Sequence, residues 1–78
     1  MSKAEDILAA LGGAANVTEL EPCITRLRVE VRDLAYVDDE GLRNTGAFGV
    51  VRSGRVVQVV VGPEADELAE SLDRLRGL

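Results

Sequence analysis

Apolar residues recur at helical spacing near both ends of this chain and at strand spacing between them. Ala4, Ile7, Leu8 and Leu11 form one apolar face of a first helix. Ser2-Lys3-Ala4-Glu5 fits a capping box, in which hydroxyl and carboxylate satisfy orphan amides. Gly12-Gly13 predicts the stop, because glycine accepts the left-handed backbone of a helix C-terminus. Residues 16 to 21 read as a short strand and residues 25 to 32 as a second. In the second, Leu27, Val29 and Val31 point one way while Arg26, Arg28, Glu30 and Arg32 point the other. That alternation predicts a half-buried strand with one wet face. Cys23 falls in the connection between the two strands, beside Pro22, which cannot donate to a ladder.

A short helix is predicted over Asp38 to Arg43, with Asp38 as N-cap and acids at the positive end. Gly46 and Gly49 bracket the turn into a third strand over about residues 47 to 52. Ser53-Gly54 then predicts a two-residue hairpin loop. The fourth strand, residues 55 to 61, is almost continuous valine, as expected of a central strand. Gln58 interrupts it on the face of Val56 and Val60, an edge or open-face position or else an orienting donor near the cysteine. Pro63 opens the last helix, Leu68, Leu72 and Leu75 supply its buried stripe, and Gly77 closes it. The order is αββαββα. The two ββ pairs can each close locally and the helices can cover one face, a two-layer α+β arrangement.

Composition narrows this to one domain, residues 1–78. The core must come from Leu, Val, Ile and Ala, since Phe48 and Tyr36 are the only aromatics. A net charge of −5 argues against nucleic acid as a partner, because that affinity rests on Lys and Arg meeting phosphates. No apolar run approaches the ~20 residues of a membrane span. The acidic N-terminus lacks the apolar core of a signal peptide, so a cytoplasmic chain with a reduced cysteine is expected. The acids at 38 to 40 are read as helix-start charges rather than as a metal site.

Cys23 is the only cysteine, and the chain has no histidine, so neither an internal disulfide nor a zinc site is expected. A thiol beside cations has a reason to exist as a thiolate, which is a nucleophile. Arg26 and Arg28 lie two positions apart on a strand, on one face, about 6.5–7 Å apart at the backbone. Guanidinium forks match phosphoryl oxygens, Thr25 adds a hydroxyl, and the turn amides could form an anion nest. The alternatives are a buried apolar cysteine and a solvated strand face on which the arginines pair with Glu30.

Further residues agree in order and spacing. Cys23-Ile24-Thr25-Arg26-Leu27-Arg28, Asp33, Gly41-Leu42, Gly46-Ala47-Phe48-Gly49-Val50-Val51 and Val57-Gln58-Val59-Val60-Val61-Gly62 together resemble the enzyme IIB domain of the glucose family. This family serves the bacterial sugar phosphotransferase system. The resemblance implies a four-stranded antiparallel sheet of order 1-2-4-3 with three helices on one face. It implies that Cys23 takes phosphoryl from a phosphohistidine on a IIA protein. Cys23 then gives it to a sugar, glucose or N-acetylglucosamine, held by the membrane IIC transporter. Thr25, Arg26 and Arg28 would bind the phosphoryl group, with Gln58 and Glu21 as supporting candidates. Phosphoryl transfer needs positioning and charge neutralisation, so no cofactor or metal is required. A free-standing cytoplasmic monomer, membrane-associated through IIC, is the expectation. Glu21 and Pro22 depart from the family pattern, where Asp and a small or amide residue are frequent. The competing readings are a non-enzymatic anion- or protein-binding module and a redox sensor using the same thiol.

Overall fold

In the computed structural model, which describes residues 2–78, the helices and strands follow the expected order. They are α1 (Lys3–Ala10), β1 (Val17–Cys23), β2 (Arg26–Val31), α2 (Asp39–Asn44), β3 (Gly49–Ser53), β4 (Val56–Val60) and α3 (Ala65–Leu75). Short 3-10 turns at Ala14–Asn16, Leu34–Tyr36 and Gly62–Glu64 join them. Met1 lies outside the described residues.

The strands form one antiparallel sheet of order β1-β2-β4-β3. Alternation sends Leu27, Val29 and Val31 of β2, and Val57 and Val59 of β4, to one face, where they are buried. There they join Ile7 and Leu11 from α1 and its cap, Leu42 from α2 and Leu72 from α3 in a single core. The helices therefore cover that face and leave the other open. The valine-rich β4 is central, with β2 on one side and β3 on the other.

Local chemistry sets the ends of the elements. The capping box at α1 is complete: Ser2 Oγ accepts from the Glu5 amide at 3.1 Å, and Glu5 Oε1 accepts from the Ser2 amide at 2.9 Å. At the other end of α1 the Gly12 amide donates to the Ala9 carbonyl and the Gly13 amide to the Leu8 carbonyl. That pair of bonds is a Schellman stop, and Gly12 takes it with φ +101°. The Ser2 amide, and then its hydroxyl, hold the Glu5 carboxyl below its ordinary value of 4.5. A depressed carboxyl stabilises the fold above its unfolded value, and that contribution is lost as pH falls through the lower folded value. Acidification below pH 4.5 should thus loosen the first turn of α1. Glu5→Gln, which keeps the box but not the charge, should remove that dependence; amide exchange of α1 against pH measures both.

Several boundaries shift. β1 was expected at 16 to 21 but runs to Cys23 and begins with a bulge between Val17 and Glu19. Pro22 does not stop it, because β1 is an edge strand and a missing donor there breaks no inner ladder. Asn16, expected in that strand, is buried at the end of a 3-10 turn. Its Nδ2 donates to the carbonyls of Leu11 and Asp33 and its Oδ1 accepts from the Asp33 amide, tying α1 to the end of β2. The β3–β4 loop is Gly54-Arg55 rather than Ser53-Gly54, since Ser53 pairs with Val56 and Gly54 carries φ +59°. The last helix is preceded by a 3-10 turn holding Pro63, and its α-helical part starts at Ala65.

Candidate functional site

Cys23 ends β1 directly opposite Arg26, which opens β2. Only Ile24 and Thr25 lie between them, so a two-residue loop carries the thiol to one end of the sheet. Cys23 was expected in that connection; it lies instead on its threshold, with its backbone registered in the ladder. The thiol is free and exposed. Residues directly opposite each other share a face, so the register defines rows across the open side of the sheet. The first row is Cys23, Arg26, Val60 and Gly49; the second is Glu21, Arg28, Gln58 and Val51. The expected site residues Cys23, Arg26, Arg28, Glu21 and Gln58 thus lie in two adjacent rows on the uncovered face.

Each of the two guanidinium groups rests on another side chain. Arg26 Nη1 donates to Gln58 Oε1 at 2.9 Å, diagonally across to β4. Arg28 Nη1 lies 3.6 Å from Glu21 Oε1, on the β1 side. The pairing of the arginines with Glu30, the alternative reading of the sequence, is not among the salt bridges of the described residues. An exposed ion pair such as Glu21–Arg28 is worth at most about 1 kcal/mol, so it holds Arg28 only loosely.

Thr25 sits in the loop, exposed, rather than inside a strand. Its carbonyl accepts from the amides of Val61 at 3.0 Å and Gly62 at 2.9 Å, which fastens the loop to the end of β4. Gly62 is at φ +79°, and a Cβ built there would approach the Phe48 ring to 3.1 Å. Glycine thus suits both the backbone turn and the close ring. Phe48 is 79% exposed beside this end of the sheet.

Ile24 holds the other place in this loop. It is the one non-glycine residue with positive φ, +60°, among the described residues. Nothing in the sequence announces this, because a β-branched residue is a poor choice for such a backbone.

Fold and site together define a small α+β domain that presents one thiol at a hairpin, next to an open face bearing two arginines. The comparisons with known proteins agree with that class. The family model described as phosphotransferase system, EIIB, matches residues 5–38. The PTS system N-acetylglucosamine-specific EIIB component of Streptomyces coelicolor (strain ATCC BAA-471 / A3(2) / M145) is 51% identical over 72 residues, 92% of this chain and 94% of that protein. One domain of the PTS system IIabc component from Clostridium difficile has the same fold, with a TM-score of 0.81 at 23% identity. That match covers 97% of this chain and 80% of the other. The chain belongs to the EIIB family of the phosphotransferase system. EIIB components are phosphotransferases that work with IIA and IIC partners. No helix among the described residues is long and apolar enough to cross a membrane.

Proposed function

We propose that Cys23 carries the phosphoryl group of this EIIB component, receiving it from a IIA protein and delivering it to N-acetylglucosamine held by a membrane IIC transporter. The exposed thiol at the hairpin, in one row with Arg26, is the observation that carries this reading. The sugar rests on the name of the Streptomyces relative. The whole chain, residues 1–78, acts as one phosphocarrier domain, a monomer with no nucleic-acid partner. It meets the membrane through IIC.

In the first step the thiolate sulfur attacks the phosphorus of a IIA phosphohistidine. The S–P bond forms, the N–P bond breaks, and the electron pair stays on the imidazole. In the second step a sugar hydroxyl oxygen attacks the same phosphorus and loses its proton to water. The S–P bond breaks and the sulfur leaves as thiolate. A transferring phosphoryl group spreads negative charge over its oxygens, so the chain's task is positioning and neutralisation. Arg26 rests on a neutral amide and Arg28 on a loosely held carboxylate. A phosphoryl dianion on Cys23 offers either guanidinium a stronger acceptor than its present one. Thr25 lends its hydroxyl, Gln58 steadies Arg26, and Glu21 steadies Arg28.

The test is mapping by mass. After incubation with a phosphorylated IIA protein, one phosphoryl group should be found on the peptide holding Cys23. A phosphoryl group on another residue, or none, ends the proposal. Arg26→Ala should leave stability within about 0.5 kcal/mol, as at other exposed sites, and Arg28→Ala, half-buried and paired with Glu21, within about 1 kcal/mol. Each should slow delivery to sugar by about 10²-fold, the scale set by removing one charge-stabilising donor. Sugar phosphorylation assays with purified IIA and IIC-bearing membranes measure this; wild-type rates in both variants would remove the arginines from the mechanism.

A further inference from the structure

Ile24 combines two features that cost stability. Its backbone is at φ +60°, where Cβ crowds the chain, and its side chain is 91% exposed. Neither is repaid within the domain, because an exposed apolar side chain gains nothing from burial. Glycine is the ordinary occupant of a positive-φ first position in a two-residue hairpin loop. Stability therefore does not explain isoleucine here.

The links on either side of Ile24 are fixed. Cys23 is held opposite Arg26 in the ladder, and the Thr25 carbonyl is held by two amides from the end of β4. The dihedral angles of Ile24 then decide how the loop amides stand relative to Cys23. The amides of Ile24 and Thr25 donate to no other backbone group outside the strand ladders among the described residues. They are free to face a charged group arriving at Cys23. A branched Cβ leaves few conformations at such a position, whereas glycine leaves many.

We infer that Ile24 is a positioning residue for phosphoryl transfer: it stiffens the loop so that the Cys23 sulfur and the two free amides keep one arrangement toward the incoming phosphorus. This rests on Cys23 being the phosphoryl carrier. Ile24 itself touches none of the reacting atoms. Its effect is that of preorganised donors, which act fully only when no reorganisation is needed.

The experiment compares wild type, Ile24→Gly and Ile24→Val for urea unfolding and for phosphorylation by a phosphorylated IIA protein. Ile24→Gly should unfold at the same or a higher urea concentration, since it relieves the strained backbone. Its kcat for phosphoryl uptake should fall by about tenfold, in line with the sensitivity of transfer to orientation. The KM for IIA should stay within about twofold, because an effect on positioning is carried in kcat. Ile24→Val, branched like isoleucine, should keep the wild-type rate. A Gly variant as fast as wild type overturns the inference. So does a Val variant as slow as the Gly variant, or a loss confined to KM, which would make Ile24 a contact of the partner. If wild type itself gains no phosphoryl group on Cys23, the carrier assignment falls and takes this inference with it. If wild type gains it and Ile24→Gly matches it, only the role of Ile24 falls.

Discussion

Cys23→Ser is expected to abolish phosphoryl uptake from IIA and sugar phosphorylation while leaving the fold intact. The two halves of that statement have separate causes. The thiol is exposed and belongs to no part of the core, so its loss should change stability by no more than about 0.5 kcal/mol. Serine keeps the backbone amide and carbonyl that register β1 against β2 opposite Arg26. The chemistry does not survive. A serine hydroxyl is a far weaker nucleophile than a thiol unless a base activates it, and this chain has no histidine to act as one. Loss of the nucleophile in other covalent mechanisms costs on the order of 10⁶-fold in kcat. Urea unfolding followed by circular dichroism checks the first half, and intact mass with a sugar phosphorylation assay checks the second. A serine variant that still supports wild-type sugar phosphorylation would favour the binding-module reading, in which the arginines matter and the sulfur does not. Oxidant-dependent activity in wild type alone would favour the redox reading.

The site was legible in proportion to how far each residue's role depends on local pattern. The period-2 alternation in Arg26 to Val31 was enough to place both arginines on one wet face. Gln58 within a valine run reads as an edge or open-face residue or as an orienting donor; it lies on the open face and accepts from Arg26 there. Where the guanidiniums rest was not legible, because that depends on which strand flanks which. Alternation states which way a side chain points, not what stands beside it. The order β1-β2-β4-β3 followed from family resemblance; the two hairpins alone are compatible with more than one arrangement. Asn16 was misread for a related reason. Its place in an apparent strand hides an amide that bridges Leu11 and Asp33, residues distant in sequence from one another. Ile24 is the opposite case: local pattern argues against the backbone it adopts, and only the pinned ends of its loop account for it.

Val59→Asp should leave the domain unfolded, and Val51→Asp should leave it folded. Val59 lies on β4 between Leu27 of β2 and Val50 of β3, with 0% of its surface exposed. An aspartate there loses the apolar burial of valine and brings a carboxylate into a core without a cationic partner. An uncompensated buried charge costs about 3–5 kcal/mol or more. A domain of this size has in total roughly 4–12 kcal/mol of stability, taking about 0.05–0.15 kcal/mol per residue. With the roughly 1.5–3 kcal/mol lost from valine burial, the total matches the lower and middle part of that range, enough to unfold a marginal domain. Val51 is on β3, directly opposite Gln58 on the open face, and is 47% exposed. A carboxylate there stays in water, in the row that holds Arg28. Its cost should stay within about 1 kcal/mol, mainly the low strand propensity of aspartate. Proton–nitrogen correlation spectra distinguish the outcomes directly, with a collapsed spectrum for Val59→Asp and a dispersed one for Val51→Asp. The reverse result would mean that both strands present their opposite faces, as when the β3–β4 hairpin is displaced by one residue on β2, since such a slip sends every side chain of a strand to the other face. Cys23, Arg26 and Arg28 share their face with Gln58 only through the β2–β4 register, so a slip in β4 would separate Gln58 from the arginine it holds.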